Sequence, residues 1–113
     1  MKKVFFFGLG RIGLPTALLS ASNKYNVIGY DINKTIISNL KKKKIHFDEP
    51  KINKILELKT NKKYIKFSNI VECSDIFIIA VPTPINSNKK ADLSYVLDCV
   101  TKIIKFLKPD NLI

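Results

Sequence analysis

The stretch Gly8-Leu9-Gly10-Arg11-Ile12-Gly13 decides the fold of this 113-residue chain. It follows directly on the apolar run Val4-Phe5-Phe6-Phe7 and precedes a segment with the apolar spacing of a helix. A GxGxxG between a buried strand and a helix is typical of a dinucleotide-binding turn. Gly8 permits the tight turn, Gly10 lets a pyrophosphate approach the backbone, and Gly13 lets the helix pack closely on the strand.

An acidic residue follows the second predicted strand, as is typical of dinucleotide-binding folds. Asp31 follows the second apolar run, Val27 to Tyr30, at the distance expected of a ribose ligand. Its carboxylate can accept hydrogen bonds from the adenosine ribose hydroxyls and would repel a 2′-phosphate, which predicts NAD rather than NADP. The alternative is a plain glycine turn with a solvated aspartate. The order of strand, glycines, helix, strand and acid favours dinucleotide binding over that alternative.

Strands and helices alternate along the whole chain. The apolar runs predict strands at 4–7, 27–30, 64–67 and 76–81, with a fifth beginning at 112–113. Helices are predicted at 12–22, after a cap at Asn33, after Pro50, and from about 93 to 107. The predicted apolar faces of the last three are Ile36, Ile37 and Leu40; Ile52, Ile55, Leu56 and Leu58; and Val96, Leu97, Val100, Ile103, Ile104 and Leu107.

This alternation predicts a fold class and the place of its site. Strands joined by helices form parallel crossovers. We therefore expect a Rossmann-type, doubly wound parallel sheet in three α/β/α layers, truncated at the fifth strand. Ligand should bind at the carboxyl ends of strands one and four, because neighbouring connections diverge there to opposite faces.

Composition bounds the function classes. With 46% hydrophobic residues, the chain has material for one core or part of one, and its apolar runs are too short to span a bilayer. We expect a cytoplasmic protein. The net charge of +11 comes from lysines spread along the chain, and the run Lys41 to Lys44 reads as a solvated helix end. That distribution argues against a nucleic-acid partner. Cys73 and Cys99 lie among apolar residues and are predicted to be buried free thiols.

Four segments together resemble a known family. Residues 8–17, 27–33, 46–50 and Val81-Pro82-Thr83-Pro84 look like the N-terminal NAD-binding domain of the UDP-glucose/GDP-mannose dehydrogenases. The resemblance covers essentially residues 1–113. The Val-Pro-Thr-Pro and the Gly-Leu-Pro at 13–15 are its more specific parts. Ile45-His46 followed by Glu49-Pro50 looks closest to the UDP-N-acetylmannosamine dehydrogenase branch.

The resemblance implies a reaction and a set of cofactor contacts. The reaction is a two-step, NAD-dependent oxidation of a sugar C6 alcohol to the uronate through a cysteine thiohemiacetal. Arg11 and Ile12 would lie at the pyrophosphate, although the family commonly has an aromatic residue at the position of Arg11. The full set of expected cofactor-binding residues is Gly8, Gly10, Arg11, Ile12, Gly13, Asp31 and Lys34 at the ribose, and Val81, Pro82 and Thr83 towards the nicotinamide.

The resemblance also implies what residues 1–113 lack. The family's catalytic cysteine, its lysine and acidic partners and the sugar-nucleotide domain would all lie beyond Ile113. We therefore expect no catalytic and no metal-binding residue in this partial domain, and NAD binding without turnover. A nucleotide sugar would bind through the missing domain, and the complete protein is expected to be a homo-oligomer that binds neither nucleic acid nor membranes.

Two other functions share the fingerprint. A regulatory nucleotide-binding module of a potassium transport system suits Gly-Leu-Gly-Arg-Ile-Gly with a strand-end aspartate. However, the fourth strand of such modules does not usually lead into Pro-Thr-Pro, and Glu49-Pro50 has no obvious place there. A different NAD-dependent dehydrogenase, such as one acting on hydroxyacids, would share only the glycine motif.

Overall fold

The parallel sheet has the order expected of a dinucleotide-binding fold. In the computed structural model, which describes residues 2–56 and 59–113, four parallel strands pair in the order β3-β2-β1-β4. Their bounds are Lys3–Phe7 for β1, Asn26–Tyr30 for β2, Ile65–Ser68 for β3 and Ile76–Ile79 for β4. Leu112 forms a parallel bridge with Ile76, so a further strand begins beside β4. The predicted fold class is confirmed.

The described residues form five helices. Their bounds are Gly13–Ser22 for α1, Lys34–Lys41 for α2, Pro50–Leu56 for α3, Lys59–Tyr64 for α4 and Ser94–Ile104 for α5. Helix α1 connects β1 to β2, three helices lie between β2 and β3, and α5 follows β4. Helix α4 was not predicted, because its sequence KTNKKY carries no apolar stripe. Since Tyr64 ends this helix, β3 starts one residue later than expected. Leu58, predicted for the short helix after Pro50, lies outside the described residues.

The alternating side chains of β1 divide the core into two clusters. Val4 and Phe6 pack with the buried residues of α1, α2 and α3 on one face of the sheet. Phe5 and Phe7 pack on the opposite face with Cys99 and Ile103 of α5. Because successive side chains of a strand point to opposite faces, one continuous apolar run supports both layers of helices. The predicted three-layer arrangement is confirmed.

The buried face of α5 differs from the predicted one. Cys99 and Ile103 point into the core, whereas Leu97 and Ile104 are each 63% exposed and Leu107 is also exposed. Two apolar stripes overlap on this helix at i, i+3 and i+4 spacing, and periodicity cannot tell which of them faces the sheet. The burial prediction for Leu97, Ile104 and Leu107 was therefore wrong.

The two cysteines also differ from each other. Cys99 is buried as predicted, but Cys73 is exposed, so the prediction for Cys73 was wrong. Cys73 lies in the irregular connection between β3 and β4, where apolar sequence neighbours do not enclose a side chain.

None of the described helices is long and apolar enough to cross a membrane.

The two isoleucines at the end of α5 give a matched test of its orientation. We expect Ile103→Ala to lower the free energy of unfolding by about 2–4 kcal/mol, because it leaves a cavity in the core. Ile104→Ala should change that free energy by less than about 0.5 kcal/mol, since the side chain is exposed. Urea denaturation of both variants measures this difference, and a larger loss for Ile104→Ala than for Ile103→Ala would mean that α5 packs through the other stripe.

Candidate cofactor-binding site

Two glycines allow three chain segments to meet at the end of β1. Gly8 has a φ of +98°, and a Cβ placed there would overlap the backbone oxygen of Ala80, just after β4. A Cβ on Gly13 would overlap the backbone oxygen of Gly8. The Gly8 N–H donates to the oxygen of Tyr30 over 2.9 Å, which ties the turn to the end of β2. The turn, α1 and the chain after β4 therefore pack closer than any side chain would permit.

Gly10 has the opposite environment. No atom lies within 4 Å of the position that a Cβ would take there, and the residue is exposed. Helix α1 begins three residues later behind Ile12, whose apolar side chain cannot accept from the first-turn N–H groups. Within that turn the Leu14 N–H donates to the oxygen of Gly10 over 3.1 Å and Pro15 has no N–H, so the attraction for an anion beside Gly10 comes mainly from the positive end of the helix dipole. The arrangement suits an anion such as a pyrophosphate.

Asp31 is fixed by two backbone donors. Its Oδ2 accepts from the N–H of Leu9 over 3.1 Å, and its Oδ1 accepts from the N–H of Asn33 over 2.9 Å. Asn33 in turn caps α2 by accepting from the N–H groups of Thr35 and Ile36, as the sequence predicted. An ionised carboxylate has about four acceptor positions, so Asp31 retains capacity for the hydroxyls of a ligand.

One crevice of about 400 Å³ joins these groups at the carboxyl ends of β1, β2 and β4. It lies at the predicted place, and its size is within the range of small-molecule sites. The predicted site residues that line it are Gly8, Gly10, Asp31, Val81 and Pro82. Among the described residues, the lining does not include Arg11, Ile12, Gly13, Lys34 or Thr83. Gly13 is buried, and the other four are exposed.

Arg11 contacts an aromatic residue from a distant loop. Its guanidinium carbon lies 5.2 Å from the centre of the Phe47 ring, and the His46 ring packs edge-on against Phe47 at 4.9 Å. His46 itself lines the crevice. The cation–π contact thus attaches the connection between α2 and α3 to the glycine turn.

The sequence interpretation missed the wall that α5 supplies. Tyr95, Asp98, Cys99 and Lys102 all line the crevice. Their spacing of three and four residues places them on one face of a helix, a pattern that could have been found beside the apolar stripes. The apolar positions of α5 alone do not reveal this face, because two of its four residues are charged.

The α5 wall carries one polar cluster. Lys102 Nζ lies 2.9 Å from Asp98 Oδ2 and donates to Tyr30 Oη over 3.3 Å. The hydrogen bond to Asp98 raises the pKa of Lys102, burial opposes that shift, and the hydrogen bond to Tyr30 adds to it. Lys102 is therefore charged at neutral pH.

Cys99 adjoins this cluster but is not activated by it. Burial raises the pKa of the Cys99 thiol, and the nearby Asp98 raises it further. A protonated, buried thiol is a poor nucleophile. Across residues 2–56 and 59–113, no three His, Cys, Asp or Glu side chains are grouped so as to hold a metal ion.

Residues 2–113 match the UDP-glucose/GDP-mannose dehydrogenase family, NAD binding domain. The chain belongs to this family. It is 44% identical over 112 residues to UDP-N-acetyl-D-mannosamine dehydrogenase of Campylobacter jejuni, covering 98% of this chain and 28% of that protein. The enzyme of the same name from Methanococcus maripaludis is 40% identical and is matched by 100% of this chain and over 27% of its own length.

A solved structure agrees with this assignment. The UDP-N-acetyl-mannosamine dehydrogenase of Staphylococcus aureus superposes with a TM-score of 0.92 at 38% identity, covering 97% of this chain and 28% of that one. The family match selects the dehydrogenase interpretation over the potassium-transport module and over a dehydrogenase that shares only the glycine motif. NAD is the cofactor of this domain family. The chain spans little more than a quarter of the length of these relatives.

The two environments of the family's glycines predict opposite effects on stability. Gly13→Ala should destabilise the fold by about 1–3 kcal/mol or more, because the added methyl overlaps the backbone of Gly8. Gly10→Ala should leave the free energy of unfolding within about 0.5 kcal/mol of wild type, since the methyl enters open space. Thermal and urea unfolding compare the two, and a large loss from Gly10→Ala would contradict the open environment described above.

Proposed function

We propose that the crevice binds NAD with its pyrophosphate beside Gly10 and the N-terminus of α1, and its adenosine ribose on Asp31. The observation that carries the proposal is that the open backbone at Gly10 and the held carboxylate of Asp31 line the same crevice. The first offers donors to the phosphates, and the second offers acceptors to the ribose hydroxyls.

The residues at the Asp31 end of the crevice fit NAD better than NADP. A 2′-phosphate would meet the carboxylate of Asp31, which is anchored by Leu9 and Asn33 and cannot swing away without losing both hydrogen bonds. Lys34, in the first turn of α2, is exposed and is the nearest predicted cation to the ribose. We assign Lys34 to the ribose side of the site, at its rim.

The nicotinamide half is assigned to the segment after β4. Val81 and Pro82 line the crevice, and Thr83 follows them as an exposed residue between two prolines. An extended segment held by prolines presents a hydroxyl with little loss of conformational entropy. Arg11 and Ile12 are assigned to the pyrophosphate side through their backbone N–H groups. The Arg11 side chain, which contacts Phe47, would hold the turn in place.

We further propose that the complete protein oxidises the C6 alcohol of a nucleotide sugar, with UDP-N-acetylmannosamine as the favoured substrate. The names and identity of the relatives support this substrate. NAD, when bound, supplies the hydride acceptor for such a reaction. The residues of this chain hold the cofactor and orient it, and none of them is assigned a catalytic role. The complete protein should release NADH with UDP-N-acetylmannosamine, and the 113-residue chain should not.

We also propose that the complete protein is a cytoplasmic homo-oligomer and has no nucleic-acid partner. The run Lys41 to Lys44 supports the absence of a nucleic-acid partner, because Lys41 ends α2 and the next three lysines are exposed beyond it. Cations at a helix C-terminus interact favourably with the helix dipole, which accounts for the run without a ligand.

Asp31→Asn tests the proposed cofactor site. We expect NAD binding to weaken by about 1–3 kcal/mol, because hydrogen bonds to a charged acceptor are lost. The preference for NAD over NADP should shrink as well, since the repulsion of the 2′-phosphate disappears. Isothermal titration calorimetry with both dinucleotides measures this effect.

Asp110→Asn is the control for that titration. Asp110 is exposed in the turn after α5, so removing its charge should leave both affinities unchanged. Equal NAD affinity for Asp31→Asn and wild type, with both proteins folded by circular dichroism, would refute the assignment of Asp31.

A further inference from the structure

We propose that Asp98 on α5 recognises the base of the dinucleotide by accepting a hydrogen bond from the 6-amino group of adenine, with Lys102 as the residue that positions it. The inference rests on the proposed NAD site. It adds a specificity determinant that lies outside the glycine motif and outside the ribose-binding aspartate.

The location of the adenine base follows from the parts of the dinucleotide that are already assigned to the crevice. If Asp31 binds the ribose hydroxyls, the base joined to that sugar must lie in the same part of the crevice. The glycine turn takes up the phosphates and the segment after β4 takes up the nicotinamide half. The remaining lining comes from Ile32, Asn33, Ile36 and His46 on the side of α2, and from the face of α5 that carries Tyr95, Asp98 and Lys102. Of these two groups, only the face of α5 has a carboxylate that can accept a hydrogen bond from a base.

This wall adjoins Asp31 through its sequence neighbour. Tyr30 immediately precedes Asp31, and its hydroxyl accepts from Lys102 over 3.3 Å. Lys102 also lies 5.7 Å above the Tyr30 ring, so the ammonium group sits over the end of β2. The ion pair of 2.9 Å then joins Lys102 to Asp98. The carboxylate of Asp98 is thereby linked to the strand that carries the ribose ligand.

The cluster keeps hydrogen-bonding capacity for a ligand. The ion pair engages one oxygen of Asp98, which leaves the other as an acceptor, and the Asp98 side chain is 56% exposed. The same crevice has apolar lining from Ile32 and Cys99 and the ring of Tyr95, which shares a face of α5 with Asp98. A flat base suits such a lining, and aromatic rings contribute stacking.

The chemistry of Asp98 selects one class of purine. An ionised carboxylate can only accept, so it suits the amino group at C6 of adenine. Hypoxanthine has a carbonyl oxygen at C6, which would face the carboxylate without a hydrogen. An ion pair that served only to stabilise α5 would not distinguish between these bases. Discrimination between adenine and hypoxanthine therefore separates recognition from a structural role.

The experiment titrates the chain with NAD and with nicotinamide hypoxanthine dinucleotide by calorimetry. Wild type should bind NAD about tenfold more tightly, the effect of one hydrogen bond to a charged acceptor. Asp98→Asn should reduce this ratio to about one, because its amide can donate to the carbonyl as well as accept from the amine. Asp110→Asn is the control and should keep the wild-type ratio.

Variants of Lys102 test the positioning role. Lys102→Met should lower the ratio of the two affinities, since the Asp98 carboxylate loses its anchor, and Lys102→Arg should restore it. Lys105→Met removes a lysine from the exposed end of the same helix and should have no effect on the ratio. A merely structural role for Lys102 would change both affinities by the same factor, and this outcome would overturn the inference.

The outcomes also separate this inference from the proposed function. If wild type binds both dinucleotides equally well, recognition of the base by Asp98 is refuted and the NAD site stands. If Asp98→Asn weakens both affinities equally, the inference is likewise refuted. If wild type binds neither dinucleotide while circular dichroism shows it folded, the proposed NAD site itself fails.

Discussion

The close approach of helix α1 to the glycine turn is the constraint on which the rest of the structure depends. Two positions without a Cβ, Gly8 and Gly13, let the turn, the helix and the chain after β4 meet backbone to backbone. This contact sets where α1 begins and places the positive end of its helix dipole near Gly10. A side chain at either glycine would overlap the backbone of a neighbouring segment and force the segments apart.

The crevice has two walls of different origin. One wall comes from the first third of the chain. The turn at 8–13 comes directly after β1, Asp31 comes directly after β2, and hydrogen bonds of 2.9 and 3.1 Å join the two segments. The other wall is the face of α5, which reaches the crevice only because its helix packs on the second face of the sheet. Cys99 shows both roles of this face, since it is part of the core and also lines the crevice.

Charge has different functions in different parts of the molecule. Most of the described lysines are exposed, and Lys102 is the one that lines the crevice, so the net charge of +11 arises mainly outside it. The charges that matter for the site are few and held by neighbours: Asp31 by two backbone donors and Lys102 by Asp98 and Tyr30. Fixed charges of this kind cost little reorganisation when a ligand binds.

The sequence by itself determined the parallel sheet, its order of elements apart from α4, the cap at Asn33 and the crevice that contains Gly10 and Asp31. These features follow from the period of apolar side chains and from a motif whose residues all lie between positions 8 and 33, both of which a single chain displays directly. Only the tertiary structure decided which stripe of α5 is buried, that Cys73 is exposed, and that Asp98 and Lys102 line the same crevice as Gly10 and Asp31. The reason is physical: both faces of α5 have helical apolar spacing, and the choice depends on contacts with strands far away in sequence.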